Sequence, residues 1–249
     1  MGLFDKKYCD ICGQKIGMLG NRKLEDGNLC KDCAAKLSPF FSDRRRSTVN
    51  DIKAQLSYRA ANQEEVERLH ITRSLGKNTK ILLDEDARKF VVTGARDIIS
   101  ANPDVLDYSQ VTGCMLDIDE HKNELKIKNN EGKMVSYVPP RYEYSYDFTV
   151  KINVNHDYFD TISVRLNPSS VKTPRPVSVN LRGAMPQEFK EYYDMGKEIE
   201  SVLTNARAEI REEIAQANAP KMAVKCPHCG ASTIPDASGC CEYCGGPLA

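Results

Sequence analysis

The chain has 249 residues, 41% hydrophobic and 28% charged, with 35 basic and 35 acidic side chains that cancel to a formal net charge of zero. This composition excludes a disordered polar chain, and no apolar run approaches the roughly 18 residues of a membrane span. The overall balance also lacks the strong basic excess of a dedicated nucleic-acid binder.

The N-terminus, MGLFDKKYCD, carries no apolar stretch of the secretory kind, and Lys6 breaks the myristoylation pattern. A cytoplasmic protein is expected. In a reducing compartment, paired cysteines bind metal more often than they form disulfides. Nine of the ten cysteines lie in two terminal clusters, and Cys114 stands apart.

The first cluster is CDICGQKIGMLGNRKLEDGNLCKDC, with seventeen residues between the inner cysteines. Each CxxC lets two thiolates grip one ion from a tight turn, and two such grips complete a tetrahedron. Cys9, Cys12, Cys30 and Cys33 are therefore the expected ligands of a zinc ion. Gly13 follows the first grip, Asp26-Gly27 signals a hairpin, and Ala34-Ala35-Lys36-Leu37, good helix formers, signal a helix carrying the last ligands. Knuckle, hairpin and helix together predict a treble-clef-like module. Phe40 and Phe41 are expected to cover it.

Arg44-Arg45-Arg46 follows. With Arg22 and Lys23 they are the candidate nucleic-acid contacts, and the run of three is weighed against an ordinary solvated face. Residues 1–75 carry 14 basic and 10 acidic side chains, a small excess that four thiolates would reduce further. Thr48 and Asp51 then have the spacing of a capping box, opening a helix with Val49, Ile52, Leu56 and Tyr58 at helical spacing. Asn62 is expected to cap a second helical piece, which ends at His70.

From Lys80 the pattern turns to alternation. Ile81-Leu83 and Phe90-Val92 predict a hairpin around the acidic Asp84-Glu85-Asp86. Strands are expected over 110–118, around Leu125 and Ile127, and over 134–138. Tyr142 to Val154 keeps its large side chains on one parity, which predicts a long strand with one buried face. His156 marks the turn into a partner strand containing Ile162, Val164 and Leu166. Cys114 is expected to pack as a small apolar residue. His121 and His156 lie near acids, but both are expected in hairpin turns, and no recognised catalytic motif occurs. The chain is read as non-enzymatic.

Residues 168–187 are expected to be irregular, and 187–217 a long amphipathic helix stopped by Pro220. The last stretch, CPHCGASTIPDASGCCEYCGG, has the form of a zinc ribbon. Cys226, Cys229, Cys241 and Cys244 are the expected ligands of a second ion, with Cys240 spare and His228 pointing outwards. Cys240 in place of Cys241, and iron in place of zinc, are the open alternatives.

The fold class is thus α+β, in four segments. A four-cysteine zinc module covers 1–46, a helical linker 47–75, an antiparallel β domain with its C-terminal helix 76–217, and a zinc ribbon 218–249. Six or seven antiparallel strands followed by one long helix suggest a compact barrel or sandwich capped by that helix, and resemble the order of pleckstrin-homology-like domains. The acidic first hairpin loop departs from the basic loop that lipid-binding members use, and argues against lipid and for a protein partner. Over residues 9–166, the first cysteine cluster and PPRYEYSYDFTVKINVNH resemble a family of bacterial cytoplasmic proteins, mostly Gram-positive, with an N-terminal four-cysteine domain of unknown function. That resemblance implies metal-ligand roles for Cys9, Cys12, Cys30 and Cys33 and assigns no activity. The expected function is a zinc-binding interaction or adaptor protein, with weak zinc-ribbon nucleic-acid binding as the alternative.

Overall fold

The computed structural model describes residues 6–180, 185–217, 223–236 and 238–248. The expectations for the first five residues, for 181–184 and for the helix stop at Pro220 lie outside them. The chain divides into two compact units, Met1–Arg207 and Ala208–Ala249.

The first unit begins with two small hairpins. Strands β1 (Lys7–Tyr8) and β2 (Lys15–Ile16) pair around the first CxxC, and β3 (Arg22–Lys23) pairs with β4 (Asn28–Leu29). The second hairpin closes through Leu24 N–H donating to Gly27 O at 2.9 Å, at the Asp-Gly turn read from the sequence. Helix α1 (Lys31–Ala34) is a single turn. Ile16, Leu24, Leu29 and Leu37 gather into a buried cluster with Ile52 of the following helix.

That helix, α2 (Val49–Arg68), starts at the Thr48–Asp51 capping box. It is one continuous helix and not two pieces. Asn62, expected to be a cap, is buried inside it: its side chain donates to Asn102 Oδ1 and Pro103 O and accepts from Val105 N–H. The buried stripe of α2 is Ile52, Gln55, Arg59, Asn62 and Val66, mostly polar, which is why apolar spacing misread it. Arg59 Nη1 donates to Asp104 Oδ1 at 2.7 Å, and the Asp104 side chain is fully buried. Ser38 Oγ donates to Asp104 Oδ2 at 2.7 Å, and Tyr58 OH to Oδ1 at 3.3 Å. Arg59 also donates to the carbonyls of Lys36 and Asn102. One buried carboxylate thus joins the metal module, α2 and the body, with its charge paired and hydrogen-bonded as burial requires.

The body holds two antiparallel sheets. The first is a meander of β5 (Arg73–Gly76), β6 (Lys80–Asp84), β7 (Lys89–Thr93) and, after the short helix α3 (Ile98–Ala101), β8 (Val105–Asp107). In the β6–β7 turn, Asp84 is buried and accepts from His70 and Ala87 N–H. Burial opposes its charge, but those two donors outweigh it and hold the carboxyl below its ordinary range. The second sheet is built on β9 (Val111–Lys128) and β10 (Met134–Val154), with β11 (Thr161–Arg165) and β12 (Val171–Thr173) on the other edge of β10. Among the described residues no strand of one sheet pairs with the other, so no closed barrel forms. The turn expected near His121 is absent as well: β9 runs straight through, and His121 pairs with Ser145.

Helix α4 (Gln187–Ala217) covers the second sheet from its first turns. Phe189 meets Tyr146 and Phe148 edge-on, each with ring centroids 4.9 Å apart, and all three are buried. A Cβ on Gly196 would sit 2.5 Å from Leu116 Cδ1, so this glycine lets helix and strand approach closely. Leu116 N–H donates to Glu200 Oε2 at 3.1 Å. No described helix is long and apolar enough to cross a membrane. In the second unit, β13 (Val224–Lys225) and β14 (Ser232–Thr233) form a hairpin.

Candidate metal centres

Three of the four CxxC grips share one backbone pattern. Cys9 N–H donates to Gln14 O and Gly13 N–H returns to Cys9 O; Cys226 does the same with Ala231 and Gly230, and Cys241 with Gly246 and Gly245. The returning glycines have φ of 71°, 74° and 68°, a left-handed region where a side chain is strained. The trailing glycine of each motif is therefore a conformational requirement of the knuckle.

The fourth grip is different. Cys30 is the N-cap of α1, and its sulfur accepts from Cys33 N–H at 3.3 Å. No glycine follows Cys33 because the chain continues into helical geometry. Cys9 Sγ accepts from Cys30 N–H at 3.3 Å, so a backbone donor crosses between the two grips. This knuckle-plus-helix combination is the arrangement read from the first cluster. The second unit joins two knuckles, as a ribbon does.

In both clusters the four sulfur atoms lie within 4.8 Å of one another. Contacts of 3.7 Å (Cys12–Cys30), 3.6 Å (Cys226–Cys244) and 3.7 Å (Cys229–Cys241) are close to the edge of about 3.8 Å in a tetrahedron with metal–sulfur bonds of about 2.3 Å. The residues therefore fit a four-coordinate metal ion in each cluster. Four thiolates would fill every tetrahedral position and leave none for water.

The local fields also suit thiolate ligands. Burial opposes ionisation of Cys9, but N–H groups of Cys12, Cys30 and Ile11 outweigh it and bring the thiol down to about 6. Burial likewise opposes Cys226, and the donors of Cys229 and His228 bring it down to about 6. Their neighbours move the other way. Cys33 is raised by burial and by the surrounding cysteines. For Cys244 the Gly246 N–H favours the thiolate, but Cys229, burial and the other thiols push it up to about 12. A first thiolate forms readily and resists the next, and a bound cation removes that resistance.

Cys240 lies outside the second cluster. Its N–H donates to Asp236 Oδ1 and its sulfur faces Ser238 O at 3.9 Å. His228 also lies outside, packed where a Cβ on Gly246 would be 2.6 Å from its ring. Cys114 pairs with Ile152 in the ladder, and burial, with Glu200 adding to it, pushes its thiol up to about 12.

The three arginines of the basic run part company. Arg44 and Arg45 join Asn21, Arg22, Lys23, Leu24 and Glu25 around a cleft of about 760 Å³, while Arg46 pairs with Asp43 at 2.7 Å. Arg22 and Lys23 are phosphate candidates from the sequence, but their place beside Arg44 is not legible there: Arg44 Nη1 donates to Lys23 O at 2.8 Å. Phe41 packs on the metal module, whereas Phe40 turns to Phe159 of the body, ring centroids 5.3 Å apart. His156 stacks on Phe159 at 4.1 Å and meets Tyr58 OH at 3.1 Å, so it belongs to the seam around Asp104.

Residues 7–55 match a family described as a domain of unknown function, DUF4428. No curated protein and no solved structure matches the chain.

Proposed function

We propose that this chain is a non-enzymatic, cytoplasmic interaction protein whose two closed metal centres hold zinc in a structural role. The reading takes its support from the four-thiol geometry, because a filled tetrahedron offers an ion for folding and none for activating water. The observation that favours a protein partner lies on the first module. Between β2 and β3, Met18 and Leu19 are 95% and 92% exposed in a tight turn closed by Gly20 N–H to Gly17 O. Two large apolar side chains held out by a metal-locked loop resemble the apolar anchors of an interface, and not chance surface residues. The body is read as a variant of the pleckstrin-homology-like order, with the four-stranded meander, second sheet and long helix in sequence. Its acidic β6–β7 turn favours a protein over a lipid.

Native mass spectrometry of the purified chain tests the metals, with two zinc ions expected. Affinity capture from the source cytoplasm, with and without nuclease, tests the partner. The reading expects proteins that persist after nuclease and are lost from a Met18→Ser, Leu19→Ser variant. Capture indifferent to that variant overturns the assigned surface.

A second reading rests on the cleft of Arg22, Lys23, Arg44 and Arg45. Arg44 is pushed down by burial and by Arg22 and Arg45, like charges that a phosphate would relieve. Partners that vanish with nuclease, and binding that falls steeply with salt, would favour this nucleic-acid reading.

A further inference from the structure

We propose that the outer edge of β9 pairs with the same edge of a second copy of this chain, in one antiparallel register centred on Asn123. This goes beyond the interaction reading above and does not depend on it.

Among the described residues β9 pairs with β10 alone, while the far edge of β10 takes β11 and β12. Every β9 residue from Asp119 to Lys128 is exposed. Such an edge presents unpaired backbone groups to any strand that fits.

The ladder decides which groups face outwards. Phe148 N–H donates to Asn167 Oδ1 at 2.8 Å and Phe148 O accepts from Leu166 N–H at 2.9 Å, both away from β9. Ile118, opposite Phe148, therefore directs its own N–H and C=O to the outer edge. Leu116 agrees, since its N–H leaves the ladder for Glu200. At the far end Asn129 N–H turns inwards to Lys133 O. Alternation then places Ile118, Glu120, Lys122, Glu124, Lys126 and Lys128 as the outward-bonding set.

Their charges select a register. A centre at Asn123 sets Glu120 against Lys126, Lys122 against Glu124, and Ile118 against the aliphatic stem of Lys128. A centre at Lys122 sets Lys122 against itself and Glu120 against Glu124. A centre at Glu124 sets Lys122 against Lys126. Like charges directly opposite are destabilising, so both neighbouring registers are penalised. A centre at His121 pairs Glu120 with Lys122 but reaches Leu116, whose donor Glu200 already holds. The side chains are also steadied for this role. Glu120 accepts from Tyr146 OH at 2.8 Å, and the Lys122 ammonium lies 4.0 Å over the Tyr142 ring. On the other face the exposed Leu125 and Ile127 gain cover. Lysines on an edge commonly guard against indiscriminate pairing; alternated with glutamates in this order, they admit one partner strand.

The test is sedimentation equilibrium of the full zinc-loaded chain and three variants. Wild type is expected to dimerise. Glu120→Lys with Glu124→Lys, and separately Lys122→Glu with Lys126→Glu, should each weaken self-association by at least about tenfold, while their equimolar mixture restores a heterodimer. Glu124→Pro removes an outward N–H and the carboxylate set against Lys122 but no bond of the β9–β10 ladder, so it should leave that ladder intact by circular dichroism and still abolish the dimer. A wild type that stays monomeric at about 1 mM, a Glu124→Pro chain that dimerises, or folded charge variants that fail to pair with each other would overturn the proposal.

Discussion

The N-terminal module and the C-terminal ribbon use the same donor set and depend on it differently. Around the first cluster lie Ile16, Leu24, Leu29, Leu37 and Ile52, and Asp104 fastens the module to the body through Arg59 and Ser38. Around the second, the only buried side chains among the described residues 223–248 are Cys226, Thr233 and Cys241. In the first region a metal ion would lock a core that exists beside it. In the second, the ion would be the core. Small folds with so little apolar burial rely on such a staple.

The largest effect should come from removing metal. Binding to structural four-ligand sites is worth about 10–16 kcal/mol at neutral pH, and in the ribbon almost nothing else opposes unfolding. With a strong chelator, amide protection should vanish across 223–248 and persist at Leu24, Leu29 and Leu37. Simultaneous loss in both regions, read by hydrogen exchange, would erase the distinction. Next comes Asp104→Ala, which leaves the Arg59 charge buried and unpaired. A cost of about 3–5 kcal/mol is expected in denaturant unfolding of the first unit. A matched pair of truncations sharpens the contrast further. Leu29→Ala should cost about 2–5 kcal/mol, whereas Ile234→Ala in the ribbon, at 51% exposure, should change stability by no more than about 0.5 kcal/mol.

The smallest effect is a pH dependence of the seam. Burial lowers the pKa of His156 below its ordinary 6.5, and Asp104 and Asp157 only partly restore it. The unfolded chain then binds the proton more readily than the folded one, so stability falls as pH drops through about 6.5 and is insensitive to this group well above it. The denaturation midpoint of wild type should decline more between pH 8 and 5.5 than that of His156→Phe. Equal declines would remove His156 from the seam.

How much of this the sequence disclosed follows from the range of the forces. The knuckles were legible because their chemistry is local: a CxxC and a trailing glycine carry the whole instruction. The Thr48–Asp51 cap and the Asp26-Gly27 turn were legible for the same reason. The α2 stripe was not, because Gln55, Arg59 and Asn62 are polar, and the partners of Arg59 and Asn62 lie mostly at Asn102 to Val105, in the stretch after α3. The parity of Tyr142 to Val154 announced β10, but the neighbouring strands merge into one uninterrupted β9, where Asp119 to His121 had the composition of a turn. Pairing with the long β10 overrode that local preference. The separation of the two sheets left no local trace either, since closure depends on which edges meet. Of the basic run, Arg44 and Arg45 join a cleft whose other half comes from a hairpin 21 residues earlier in sequence, and Arg46 goes to Asp43.

The Arg59–Asp104 bond spans 45 residues, and this has a consequence during synthesis. At about 5–20 residues per second, Arg59 is made some seconds before its partner exists. All four N-terminal thiols have emerged by then, together with the hairpins that position them. The first ion can therefore be captured while the body is still being made, and the module arrives preassembled when Asp104 closes over it. The ribbon's ligands follow the body in synthesis, so an ion for the second site would be captured only after the residues of the first unit have been made.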